Sequence, residues 1–523
     1  MARLRTLAEW EALTGKDKLT DPEKELIECC REGRECKLGD GTRPEGPDPD
    51  RNIRADLLRY LILGGCDECM LDEVGVQLIG AYVPDHLILD FGSAVGQTRL
   101  VNVCFAEEIS AQQTLFKLLN LSGSQIPGLN AQCAVFEGPV FLRDKFCAIG
   151  EVNFAGARIE SQLDCSNARF ENAHGKALNA QVANVAGGVF LQRGFKAIGE
   201  VRLSGLTVGG QFSCLNSSFN NANGYALEAG RITVGGEFLW KTAVVEAGIV
   251  HLAAAHVGVL VDDLQSWPES GRLYLDGFTY DRIGASTTDA DSRLEWLGKG
   301  DRWNGDFYPQ PYTQLAKVLR EMGHDHAARK VMIRKEELLA KEQLKVDRAR
   351  LDRLRNGTPT ERGDTGFYWL RMHFFRIWIF LIRWLVGYGY SPQLALYWAV
   401  GTMTFMTVFY FILWHAGGFV PNSALIMNST DWAAAMAISP TAPGPVWAAT
   451  APSGAHYETF WAGFYAADVF IPLINFGQEA AWTATTQNVA GWFAFLATFA
   501  FKGFGWFITA LGAAAIGGII RRE

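Results

Sequence analysis

The longest apolar runs lie in the last quarter of the chain. Residues 394–414 carry no charged side chain, and residues 489–520 carry only Lys502. At roughly 1.5 Å per residue, each run can cross a bilayer core of roughly 30 Å as a helix. The stretch between them, 415–488, contains no Lys or Arg, whereas Arg371, Arg376 and Arg383 precede the first run and Arg521 and Arg522 follow the second. Retention of cations on the cytoplasmic side predicts cytoplasmic termini and an outer loop. Just upstream, the apolar segment 369–385 is interrupted by cations, and Arg376 and Arg383 fall on one helical face. This pattern predicts an interfacial amphipathic helix over 367–390, anchored by Arg371, Arg376, Arg383, Trp378 and Trp384.

Upstream of residue 74 the apolar spacing is helical. Asp21-Pro22 reads as a helix start, with Asp as N-cap and Pro in the first turn. Asp40 to Asp50 is a loop rich in Gly, Pro and Asp, and a short helix follows it; the region 1–73 is expected to be a helical cap. From 74 to 265 the pattern changes to short β-branched and aromatic pieces separated by small residues. Gly138-Pro139-Val140-Phe141-Leu142 returns as Gly187-Gly188-Val189-Phe190-Leu191, and Ala148-Ile149-Gly150-Glu151-Val152 returns as Ala197-Ile198-Gly199-Glu200-Val201. Cys165 matches Cys214 and Phe170 matches Phe219, all at an offset of 49 residues. The pairs Gly187-Gly188, Gly209-Gly210 and Gly235-Gly236 add a half-repeat. Two alternating coils of roughly 24 residues explain both periods, so a β-solenoid of roughly eight coils is predicted, with glycine pairs at its corners. Residues 266–360 read as an irregular linker with Trp267, Trp296 and Trp303, followed by a helical hairpin.

The pieces Ala157-Arg158-Ile159, Ala168-Arg169-Phe170 and Ser217-Ser218-Phe219 resemble the small-x-apolar unit of pentapeptide-repeat proteins, which form β-helices. Leu275-Asp276-Gly277-Phe278-Thr279-Tyr280 and Phe307-Tyr308-Pro309-Gln310-Pro311-Tyr312 look like segments of bacterial membrane-anchored relatives, often labelled membrane-associated oxidoreductases. The resemblance implies a β-helix on the cytoplasmic side of a bacterial inner membrane.

Composition adds little beyond exclusion. A net charge of −8 and a pI near 5.7 give no nucleic-acid footprint. The first ten residues carry Arg3, Arg5 and Glu9 and no apolar core, so no signal peptide is expected. All ten Cys lie between Cys29 and Cys214, on the side expected to be reducing, so no disulfide framework is expected. Cys66 and Cys69 form a CxxC, with Cys29, Cys30 and Cys36 upstream, but a second pair is missing. No dinucleotide motif, nucleophile elbow or strong metal pattern is present, and no catalytic residue, metal ligand or cofactor is assigned.

Chemistry is sought instead in the membrane module, 391–523. Residues 460–477 form a short apolar helix stopped by Pro472 and a turn at Asn475-Phe476-Gly477. Its position between two spans resembles the re-entrant segment of two-span pore-loop ion channels. Val386 to Tyr390 resembles a potassium filter in composition, but it precedes the first span and is read as a membrane-entry turn. Asp468 and Lys502 are intramembrane charges, expected to pair, with Asn475 and Gln478 as further pore candidates. Ala513 with Gly517, and Ala514 with Gly518, give small-xxx-small spacing for helix packing. The expectation is a homo-oligomeric, channel-like membrane protein that passes ions or small solutes, regulated by its cytosolic solenoid. The alternative is a membrane-anchored scaffold whose solenoid binds a cytosolic protein partner.

Overall fold

The computed structural model describes residues 8, 19–65, 71–356 and 365–517. It divides into two compact units, Met1–Val331 and Met332–Glu523.

The first unit is a β-solenoid of about nine turns, built from two parallel sheets. One inward column shows its construction. Val76, Thr98, Leu119, Val140, Leu163, Val189, Phe212, Phe238, Leu260 and Ile283 are successive register partners. All ten are buried. Each buried Val, Leu or Phe stabilises the stack by about 1.5–3 kcal/mol, and each strand hydrogen-bonds to the turns on either side. Paired strands run from Cys36–Lys37 to Thr279–Ile283, further in both directions than the expected 74–265.

The 49-residue repeat corresponds to two turns. Val140 pairs with Leu163, Leu163 with Val189, and Val140 to Val189 is one repeat. The two turn types differ because alternate turns carry an extended, bulged strand, Arg169–Asn179 and Ser218–Glu228. In each, an asparagine amide closes the bulge: Asn172 Nδ2 donates to the Lys176 carbonyl at 2.9 Å, and Asn221 Nδ2 to the Tyr225 carbonyl at 2.8 Å. The glycine pairs have ordinary negative-side backbone angles, so they are not needed for turning. They are needed for close approach: a Cβ on Gly209 would lie 2.3 Å from the Ala186 carbonyl oxygen of the turn below. The corners use left-handed residues such as Asn167 and Asn216, one repeat apart.

An aromatic column fills the solenoid towards its end. Phe146, Phe170, Phe195, Phe219, Trp240, Trp267 and Trp296 follow one another at ring separations of 5.3–5.8 Å.

Helices close both ends. At the start lie α1 (Asp21–Glu32) and α2 (Ala55–Ile62). The N-cap of α1 is Thr20, one residue before the expected Asp21, because Glu23 reaches back to accept the Thr20 N–H at 3.0 Å. Glu23 is 1% exposed and grips Arg54, the N-cap of α2, at 2.6 and 2.8 Å. At the other end, α3 (Ala290–Gly300) delivers Arg293 to Asp262 through two bonds of 2.9 and 2.7 Å, with both side chains fully buried. Then follow α4 (Gln310–Glu321) and α5 (Asp325–Asn356), and the division between the units falls inside α5.

The second unit is helical. It contains α6 (Thr365–Val386), α7 (Gln393–His415), four short helices α8 (Ala424–Met427), α9 (Thr430–Ile438), α10 (Pro443–Thr450) and α11 (Pro452–Ala455), then α12 (Ala462–Phe470), α13 (Gln478–Ala481) and α14 (Val489–Ile516). Two of them, over Gln393–His415 and Val489–Ala515, are long and apolar enough to cross a membrane. Between α6 and α7, Gly387, Tyr388 and Gly389 all take left-handed angles in a tight 3₁₀ turn. That compact turn accounts for the Gly-Tyr-Gly sequence without any filter.

Candidate functional site

The region between α7 and α14 concentrates the second unit's polar chemistry. Helix α12 packs against both long helices. Tyr465 of α12 meets Tyr410 of α7 edge-on, with ring centroids 5.0 Å apart, and the Tyr410 hydroxyl lies 3.1 Å from the Thr498 hydroxyl of α14. At the other end of α12, the Phe470 carbonyl abuts Gly505 so closely that no Cβ would fit there. The chain then turns through residues 471–477 and returns along α13 to strand Trp482–Ala484. That strand pairs antiparallel with Phe419–Pro421, which follows α7. The α12–α13 hairpin therefore begins and ends near the same ends of α7 and α14. Its tip lies level with the middle of α14.

Asp468 holds the hairpin shut. Its carboxylate is 7% exposed and accepts three backbone N–H groups: Phe476 on one oxygen, and Gln478 at 2.7 Å and Glu479 at 3.1 Å on the other. Gln478 is also buried. Its carbonyl oxygen accepts the Trp461 N–H at 2.9 Å, and its amide donates to the Thr459 carbonyl at 3.1 Å. Asn475 is exposed at the tip and accepts the Gly477 N–H at 2.8 Å. Gly477 has a φ of +83°, which suits glycine. Two of the expected pore candidates, Asp468 and Gln478, thus knit the hairpin together, and Asn475 shapes its turn.

The expected Asp468–Lys502 pair does not form. Lys502 instead binds Glu479, the residue next to Gln478, at 2.7 and 3.0 Å. Both Asp468 oxygens serve the backbone of the hairpin instead. Glu479 was not singled out in the sequence. The available signal was only its membership of four acids in the cation-free stretch, with Asp431, Glu458 and Asp468. Lys502 and Glu479 keep 44% and 38% of their side-chain surface open. Around them the surface is apolar: Leu473, Ile474, Phe476, Phe499 and Trp506 are all exposed.

The remaining expected sites are distributed differently. Arg371 and Arg383 on α6 bind carboxylates of α5, Asp347 at 2.8 Å and Glu337 at 3.0 Å. Arg376 is exposed. Trp378 meets Phe507 of α14 edge-on, and Trp384 packs on Phe380 and Trp398. Ala513 and Gly517 are exposed near the end of α14, and Ala514 is half-buried. The close contact between the long helices there uses Gly512 and Ala395 instead, where a Cβ on Gly512 would lie 3.6 Å from the Ala395 Cβ. Gly518, Cys66 and Cys69 lie outside the described residues.

The fold and these contacts define a class: a β-solenoid followed by a helical unit with two candidate membrane helices. Scans of protein-family models, of curated proteins and of solved structures find no match to this chain. The pentapeptide-repeat resemblance and its oxidoreductase label therefore rest on the short segments quoted above alone.

Proposed function

We propose that the second unit is a membrane module which assembles as a homo-oligomer and passes ions or small polar solutes. The observation that carries this reading is the half-open Lys502–Glu479 ion pair, midway along a helix long enough to span a bilayer. An ion pair that faces hydrocarbon is costly, and intramembrane charges turn to protein or to water. The open side of this pair is served by an aqueous path or by a further copy of the chain. The α12–α13 hairpin supplies the pair's acid and acts as a re-entrant segment, entered and left from the outer face. Its irregular backbone is tolerable at membrane depth because Asp468 and Gln478 satisfy its N–H groups. Both termini lie in the cytoplasm, as the positive-inside rule directs, with α6 along the inner surface and the solenoid modulating passage.

Purified protein in liposomes tests this. Wild-type protein is expected to release a small ionic dye or carry a measurable current. Lys502→Met and Glu479→Gln are each expected to cut that flux at least tenfold. Absence of flux at every protein-to-lipid ratio would sink the reading, and so would flux indifferent to both substitutions. In the first case the anchored-scaffold alternative stands.

A further inference from the structure

The solenoid's N-terminal cap brings together donors that no conduction model uses. Glu25 and Cys29 lie one turn apart on α1, hence on one face. Gly33, with a φ of +68°, ends α1 and turns the chain so that Cys36 opens the first strand of the ladder. The Sγ atoms of Cys29 and Cys36 and a carboxylate oxygen of Glu25 all lie within 4.8 Å of one another. Both sulfurs belong to fully buried residues, whereas Glu25 sits at the surface.

From this cluster we propose that Cys29, Cys36 and Glu25 bind a single Zn²⁺ ion that staples α1 to the first strand of the solenoid. Zinc prefers thiolate, imidazole and carboxylate ligands in a tetrahedron. Bonds of roughly 2.3 Å to sulfur place tetrahedral donors about 3.7 Å apart. Donors that already lie within 4.8 Å of one another need to contract by at most about 1 Å to meet that requirement. Three protein donors leave a fourth position for water. Burial pushes both thiols up, and Cys36 further through Cys29 and Glu25 beside it. Binding of Zn²⁺ replaces the two thiol protons, which leave to solvent.

The test uses the full chain in detergent. Metal analysis after dialysis is expected to find one zinc per chain. Replacement by Co²⁺ is expected to give thiolate-to-cobalt charge-transfer bands and the intense visible bands of a tetrahedral ion. Cys29→Ser with Cys36→Ser should abolish both. Glu25→Gln, at an exposed position that does not threaten the fold, should weaken binding by about tenfold or more and leave the circular dichroism unchanged. Three results would each overturn the site: a chain that takes up neither ion, metal retained in the double Cys variant, or a Cys29–Cys36 disulfide in protein isolated without reductant.

Discussion

Asp468 illustrates how a residue's chemistry and its job can part. Its charge in an apolar stretch marks it for function, yet its two oxygens are consumed by three backbone N–H groups of the hairpin. Which oxygen meets which amide depends on a turn ten residues away, so the sequence alone could flag the charge but not its partners. Asp468→Asn turns one acceptor into a donor that faces other donors. We expect it to cost the module about 1–3 kcal/mol, read as a lowered thermal midpoint in detergent. Glu23 gives the corresponding prediction for the solenoid. Burial pushes its carboxyl up, but hydrogen bonds from Arg54 and from the Thr20 and Arg54 N–H groups outweigh that and hold it below the usual range. A folded-state value below the unfolded one stabilises the fold fully above the unfolded value. That contribution is lost as pH falls through the depressed folded value. Acid titration followed by circular dichroism should therefore show the wild type losing more stability than Glu23→Gln between about pH 5 and the acid limit. Glu23→Gln should already be less stable than the wild type at neutral pH.

At the scale of elements, the solenoid was legible because its signal is redundant. An offset of 49 residues recurs in apolar, small and glycine positions alike, and it survives as two rungs of one ladder. The alternation of turn types was visible too, but its cause was not. The bulged strands at Arg169–Asn179 and Ser218–Glu228 are closed by side-chain-to-backbone bonds that leave only an Asn-x-x-Gly trace in the sequence. The first strand, Cys36–Lys37, was hidden because two residues carry no periodicity; only its register with Leu78 and Ile79 defines it. The glycine pairs were read as corner markers, and their packing role was not visible. Their role is space between turns, which makes a clear prediction. Gly209→Ala drives a Cβ to 2.3 Å from a backbone oxygen that no rotamer change can move. It should cost about 2–3 kcal/mol. Gly46→Ala, which meets nothing within 4 Å, should change stability by less than about 0.5 kcal/mol. Denaturant midpoints of the two variants decide between a packing and a turning role.

At the scale of the whole molecule, cysteine placement makes the proposed topology unusually easy to test. All ten native Cys precede residue 215, in the part assigned to the cytoplasm. Ala449 is exposed at the end of α10, in the cation-free segment assigned to the outside. Ala449→Cys should react with a membrane-impermeant maleimide in intact cells, while the parent chain stays unlabelled until the cells are broken. Labelling of the parent in intact cells would reverse the orientation.

The Lys502–Glu479 pair then separates passage from mere assembly. Lys502→Met alone strands Glu479 without its cation, so a loss of flux could reflect a damaged module. The double variant, Lys502→Met with Glu479→Leu, removes both charges and keeps similar bulk; apolar replacement of an ion pair is often neutral or stabilising. If the pair lines an aqueous path, the double variant should keep the oligomer and its thermal midpoint but lose flux like the single variant. If the pair only glues the hairpin to α14, the double variant should recover flux along with stability. Measuring subunit number, midpoint and flux on the same three proteins therefore assigns the pair to conduction or to architecture.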